Sequence, residues 1–377
     1  MKTSGFFVIA LLFTCIIQGM SVAQDKTYTV EVIDGVRHIN NHAALWGDEP
    51  RIELIFEGFL GKLESEDENY MFYNPADIAG DSEGNLYVLD AGNFRIQKFD
   101  PNGKYIHTIG RNGQGPGEFL RPLSIDIGGS DNIYVANFSN DRLEILTSEG
   151  KYTGTIKIYA PYVDYVRALQ TGEIVMKNIA TENINRFRPE PGKETWMPLI
   201  HIHDREGNIL RRFGEATIYK PKLEWKTGLN RMFYDVDIKD NVYTVMLWQN
   251  RLEKFRPDGT QIFRTNRPVD PDEGIEEVTI KSEKMPAGFS VDPKGRMWFL
   301  TKKRLLSTEE RADASSGKND KLETDAYILY LYDENGVFLN AYQLKQFCDG
   351  IRVIGNKIYI LEKRYSMRFY VYNIVEK

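Results

Sequence analysis

Four arginines recur at one point of a repeating pattern: Arg95, Arg142 and Arg251, with Arg368 at a comparable place. Asparagines stand just ahead of three of them, at Asn93, Asn140 and Asn250. Guanidinium forks and amides brought to one surface would hold an acidic or sugar ligand through bidentate and amide hydrogen bonds. The same residue types also have a structural use, because Asn suits tight turns and Arg can bond the carbonyls of neighbouring loops. Their return with every repeat argues for that use. The aromatics Phe94, Phe138 and Trp248 lie in the same connections. Exposed, they would form a stacking platform for sugar rings or an apolar anchor for a protein, with Trp248 the best placed. Buried, they would only seal one repeat against the next.

Other reactive residues do not gather into a catalytic pattern. Five histidines are present, His38, His42, His107, His201 and His203. His201 and His203 share a face if they lie on a strand, but a metal site needs three or four ligands with carboxylate or thiolate company. Cys348 precedes an apolar run and has no histidine close in sequence, so it reads as a core thiol. The Gly-rich stretch GRNGQGPGEF from Gly110 does not open a helix, which argues against a phosphate cradle. Asp77, Asp126, Asp235 and Asp237 lie on or beside three similar short strands. If they converged they could make a carboxylate centre for metal-assisted hydrolysis; otherwise they satisfy turn backbone. The motifs of zinc proteases, serine hydrolases and P-loops are missing. We therefore assign no catalytic residue, metal or cofactor from the sequence.

The bulk properties bound the partners. Lys and Arg number 48 against 54 Asp and Glu, giving a formal charge of −6. Neither nucleic acid nor an anionic membrane is drawn to such a surface. Aromatics make up 12% of the 377 residues, an enrichment that suits pleated, half-buried strands. A body of this length buries roughly three quarters of its unfolded surface and needs no disulfide. Residues 1–23 read as an export signal: Lys2, an apolar run from Phe6 to Ile17, then Ser21-Val22-Ala23 as a cleavage site. The run is shorter than the ~20 residues of a membrane span. A lipoprotein anchored at Cys15 is the rival reading, but Thr14 departs from the small residue such signals place before the cysteine. The mature chain is expected to be exported, periplasmic or secreted, with 24–50 as a lead-in and no transmembrane segment.

What must position the candidate residues is a repeat. EGNLYVLDAGNFRIQKFDPNGKYIHTIG from Glu83 recurs from Ser130 and from Lys239, and three looser copies complete the chain. Aligning on the second strand gives Tyr87, Tyr134, Val175, Tyr243, Trp298 and Tyr359, at spacings of 47, 41, 68, 55 and 61. Those periods match the four-stranded blade of a propeller. Turns carrying Asn-Gly, Glu-Gly and Asp-Gly punctuate strands of β length. The sixth copy stops after its third strand, so RIELIFEGFLG from Arg51 must supply the fourth and close the ring. The pattern from Gly84 to Gly103, G-N-L-Y-V-x-D-x-x-N-x-R-I-x-x-F-D-x-x-G, resembles an NHL repeat. The lead-in is similar to that of bacterial envelope proteins described as six-bladed β-propellers.

The expected fold is all-β: six four-stranded blades over 51–377, interrupted by insertions at 180–197 and 303–325. Both insertions fall between second and third strands and should overhang the face that carries the Arg/Asn set. The second, polar and charged, reads as a mobile loop. The resemblance implies binding more than catalysis, so the expected function is an exported module that holds a protein, peptide or glycan on that face. The alternatives are a metal-assisted hydrolase or lyase of the six-bladed kind and a structural subunit of an envelope assembly.

Overall fold

Short strands with buried aromatics cannot stand alone, and here they build six antiparallel meanders around one axis. The structure is a computed structural model and describes residues 27–62, 64–157, 165–177, 198–216, 230–267, 286–316 and 323–377. A hairpin of β1 (Tyr28–Ile33) and β2 (Val36–Asn41) comes first, then β3 (Ile52–Leu60). Blade 1 is β4 (Asp77–Gly80), β5 (Leu86–Asp90), β6 (Arg95–Phe99) and β7 (Tyr105–Ile109). Blade 2 is β8 (Pro122–Ile127), β9 (Ile133–Asn137), β10 (Arg142–Leu146) and β11 (Tyr152–Lys157). In blade 3 the strands are β12 (Arg167–Ala168), β13 (Ile174–Lys177), β14 (Ile200–His203) and β15 (Ile209–Phe213). Blade 4 follows with β16 (Met232–Val236), β17 (Val242–Met246), β18 (Leu252–Phe255) and β19 (Gln261–Thr265). Blade 5 holds β20 (Pro286–Val291), β21 (Met297–Lys302), β22 (Tyr327–Tyr332) and β23 (Phe338–Leu344). Blade 6 has β24 (Gly350–Ile354), β25 (Lys357–Glu362) and β26 (Arg368–Glu376), and β3 is its outer strand. The first strands of neighbouring blades touch one another and so ring the axis.

The repeated residues explain the blades. Where the first strand turns into the second, an aspartate accepts two backbone N–H groups: Asp81 from Glu83 and Asn85, Asp237 from Lys239 and Asn241, Asp292 from Lys294 and Arg296. Its other oxygen takes the polar tip of the second-strand aromatic, from Tyr87 at 2.9 Å, Tyr243 at 2.9 Å and Trp298 at 3.1 Å. These aromatics are fully buried, so the aspartate satisfies a group that would otherwise cost free energy in the core. Lys98 and Lys254 cover the Tyr87 and Tyr243 rings and reach a carbonyl of the next blade, Ser148 O and Glu334 O. Turn, core and blade-to-blade contact are thus one unit.

Two features go beyond the sequence reading. The β1–β2 hairpin lies against blade 4, with β2 pairing parallel to β19, and makes that sheet six-stranded. Asn41 fastens it, bonding Thr265 Oγ1, Gly336 O and Phe338 N, while Ile39 enters the core. The second insertion contains a helix, α1 (Thr308–Ser316), which the repeat pattern did not announce. Ser307 and Glu310 form a reciprocal capping box, at 3.0 Å and 2.6 Å, and this starts the helix despite its polar composition. Insertion 180–197 and the export signal lie outside the described residues. No helix among those described is long and apolar enough to cross a membrane.

Candidate functional site

Because β5 runs antiparallel to β4, the β5–β6 loop sits on the face where β4 begins, and the same holds in every blade. Arg95, Arg142 and Arg251 do stand on this face, but at the start of third strands, away from the axis. Arg95 pairs with Asp90 at 2.8 Å and donates to Glu68 O and Met71 O. Arg142 pairs with Glu144 and donates to Gln114 O and Gly115 O. Arg251 donates to Glu215 O and pairs with Glu253. Each therefore braces a connection that leads into its own blade. Asn93 bonds Asp90, Asn140 bonds Gly113 O, and Asn250 exchanges hydrogen bonds with the Arg267 backbone. Arg368 makes no such bond to a loop carbonyl among the described residues; its guanidinium lies 3.6 Å from the Phe59 ring centre.

The three aromatics, read from the sequence as either a platform or a seal between blades, do not share a position in their loops. Pairing Asp90 with Arg95, Asn137 with Arg142 and Met246 with Arg251 puts Phe138 first in its loop, Trp248 second and Phe94 fourth. All three are half-buried, Phe94 in the left-handed region (φ 54°) and Phe138 beneath the Arg121 guanidinium. The Gly-rich segment is also self-contained. Glu118 accepts from Gly115 N at 2.8 Å and pairs with Arg111, filling the place an anion would take. Gly110 (φ +79°) is required, since a Cβ there would lie 2.2 Å from the buried Phe119 ring.

The residues that do converge come from the first strands. Opposite the six aligned second-strand residues stand Ala79, Asp126, Arg167, Asp235, Ser290 and Arg352, one per blade at one level of the channel. Asp235 Oδ1 accepts from Arg167 Nε at 2.8 Å and Arg352 Nη1 at 3.2 Å. Its Oδ2 accepts from Ser290 Oγ at 3.0 Å and Val291 N at 2.8 Å. Arg352 reaches across to Asp126 at 2.5 Å, and Asp126 also accepts from Ala168 N. Asp77, one step nearer the face, accepts from Ser124 Oγ and Ile125 N and lies 3.6 Å from Arg167. Carboxylates thereby satisfy the inward N–H groups that the neighbouring blade's first strand cannot pair. Asp237 does not join them; it is the turn aspartate of blade 4.

Burial shapes the electrostatics of this floor. Asp126 is pushed up by burial, against the pull of Arg352 and Arg167. Burial works against the charge of Arg352, but Asp235 and Asp126 outweigh it and hold the guanidinium well above its usual value. Two guanidiniums thus neutralise Asp126 and Asp235, and the channel is closed at this level. Among the described residues no group of three His, Cys, Asp or Glu is placed to hold a metal ion. Cys348 is buried, with its thiol pushed up by burial, and donates to Gln346 O.

Above the floor lies a cup of about 180 Å³ on the loop face. Leu123, Tyr165, Phe233, Ala287 and Phe289 give it an apolar wall, and Asp77, Asp349, Arg352 and Lys363 supply polar groups. None of Asn93, Arg95, Asn140, Arg142, Trp248, Asn250, Arg251 or Arg368 lines it. Fixed spacing could have located the floor: its residues precede the aligned second-strand positions by eight in five blades and by seven in the sixth. Lys363 left no such signal, because it lies in the irregular β25–β26 loop.

The histidine pair has a role that pH can read. His201 and His203 lie on β14 with ring centres 6.0 Å apart. Burial, with His203 and Arg212 nearby, pushes His201 down to about 4 from an ordinary 6.5. Between those values the unfolded chain binds a proton at this site that the folded chain does not, so the site lowers stability as pH falls from 6.5 towards 4. His201→Phe should reduce the loss of urea midpoint between pH 7 and pH 5. A loss equal to that of the parent protein would refute the assignment.

The comparisons with known proteins agree with this architecture. Among curated proteins, none matches the chain. A member of the DUF4221 family from Bacteroides vulgatus superposes with a TM-score of 0.56 at 12% identity, covering 87% of this chain and 99% of that one. A Bacteroides fragilis protein regarded as exported gives 0.55 at 12% identity, over 90% and 99%. A virginiamycin B lyase from Staphylococcus aureus gives 0.48 at 12% identity, over 86% and 99%. At such identities the likeness to the two Bacteroides proteins shows the fold alone, and the lyase, with a TM-score below 0.5, adds nothing to it. The family model described as a 6-bladed beta-propeller, DUF5128, matches residues 62–262, more than half of the sequence, and the chain belongs to that family.

Proposed function

We propose that this propeller is an exported binding module that takes its ligand or partner on the face carrying the second-to-third-strand loops. The observation that carries the reading is the plugged channel: a charge-neutral floor of Arg167, Arg352, Asp126 and Asp235 beneath a cup open to that face. Sites of this kind hold ligands by apolar walls and a few convergent polar groups. Export is supported by the N-terminal signal pattern and by the likeness to the Bacteroides fragilis protein. We read the blades as NHL-type on the Gly84–Gly103 pattern, and we place Trp248 and the loop arginines at the rim, where a protein partner would touch them.

The test is to fill the cup. Ala287 is half-buried in the cup wall, so Ala287→Arg should block it while leaving the blade intact. A thermal-shift screen of peptides and oligosaccharides, with pull-down from an envelope fraction, would identify what the parent protein binds. Ala287→Arg is expected to weaken that binding by at least about tenfold. Trp248→Ala should weaken a protein partner and leave a small ligand unaffected. Binding that survives Ala287→Arg undiminished would show that the cup is not the site.

A further inference from the structure

We infer that the cup is a seat for a small monocarboxylate, with Lys363 as the cation that pairs with it. The inference rests on the binding reading of this face and names the ligand class. It follows from which charges in the cup are already engaged. Arg352 commits three of its five N–H donors to Ile78 O, Asp235 and Asp126, and those two carboxylates match its charge. Asp77 accepts from Ser124 and Ile125, and Asp349 accepts from Lys363 N and Arg364 Nε. Lys363 lines the same cup, and its ammonium has no hydrogen bond or ion pair among the described residues. It senses Asp349 and Asp77, but burial is the larger influence and holds it below the ordinary lysine value. A partly desolvated ammonium with three free donors favours an anionic acceptor more than one in open water does.

The surroundings decide which anion. Asp77 and Asp349 line the cup, so a second negative charge on the ligand would be repelled. One uncommitted cation suits one carboxylate, and a phosphate dianion would find too few donors. The wall of Leu123, Phe233 and Ala287 takes a ring or short apolar body. At about 180 Å³ the cup is smaller than the roughly 300–1,000 Å³ of drug-sized sites, which fits an aromatic acid or a single uronic acid unit.

The experiment uses the mature protein and two matched pairs of probes, benzoate with benzamide and glucuronate with glucose, read by calorimetric titration. At least one acid should bind saturably, its neutral partner about tenfold or more weaker. Lys363→Met should remove that preference, and Lys363→Arg should keep it. The side chain is half-buried and bonds nothing among the described residues, so both variants should fold. Equal binding of acid and neutral probe, acid binding unchanged in Lys363→Met, or no binding of either acid would overturn the inference. If partners are nevertheless captured and then lost in Ala287→Arg, the module reading stands without the carboxylate seat.

Discussion

Asp235→Ala should destabilise the protein by about 3–5 kcal/mol, far more than the loss of any surface ion pair. One carboxylate serves four donors here: Arg167, Arg352, Ser290 and the Val291 backbone. Arg167 is 1% exposed, and without Asp235 the carboxylate it still contacts is Asp77, at 3.6 Å, its other hydrogen bonds going to the uncharged Val166 O and Tyr165 Oη. The cost is therefore mainly that of a buried guanidinium left short of countercharge, together with an orphaned N–H. Contrast Lys377–Glu53, whose side chains are 54% and 57% exposed; breaking that pair should cost about 0–1 kcal/mol. Urea unfolding of Asp235→Ala, Arg352→Ala and the double variant measures the coupling. The double variant should lose less than the sum of the single losses, since removing Arg352 also removes one of the charges stranded by the first change. Strict additivity, or a loss below about 1 kcal/mol, would mean that the floor is not held by these charges.

The propeller was legible because the blades repeat their chemistry in cis. Asp237, Asn241 and Tyr243 are close in sequence, and their turn and core contacts are made within one hairpin. Ring closure was legible for a related reason: a missing fourth strand can be counted, and Arg51 begins the one run available to supply it. The loop arginines stand on the face of the second-to-third-strand loops, but a recurring residue is the one a blade needs to hold its own connections, as Arg95 and Arg142 do. Function has to break the repeat. At the channel, equivalent positions hold Ala79, Asp126, Arg167, Asp235, Ser290 and Arg352, six places with four residue types. Reading variation at fixed spacing would have exposed this ring, whereas searching for recurrence concealed it. The β1–β2 hairpin was illegible because its pairing with β19 joins segments over two hundred residues apart, and no local pattern encodes a parallel contact of that range.

Removing residues 51–60 should abolish cooperative folding, whereas removing 27–49 should leave a closed ring of lower stability. β3 pairs with β26 from Ile52 opposite Glu376 to Leu60 opposite Phe369. Its two ends enter different cores: Ile52 packs with Trp298, Leu329 and Ile374 at the blade 5–6 boundary, and Leu60 with Phe72, Ile78 and Phe99 at the blade 6–1 boundary. Each fully buried side chain of this kind stabilises by roughly 1.5–3 kcal/mol, before counting the ladder hydrogen bonds. A domain's whole margin is about 5–15 kcal/mol, so loss of both anchors and the ladder consumes most of it. The nine-residue β26, rich in Phe, Tyr, Val and Ile, would also become an open edge and promote association between chains. The hairpin differs because β19 already has β18 as a partner and the ring does not depend on it. Size-exclusion chromatography and calorimetry of the two deletions should show aggregation without a transition for the first, and a monomer with a lowered, cooperative transition for the second. A synthetic peptide of residues 51–61 added during refolding should restore the transition by strand addition. A 51–60 deletion that unfolds cooperatively near the parent temperature without the peptide would show that the ring closes by other means.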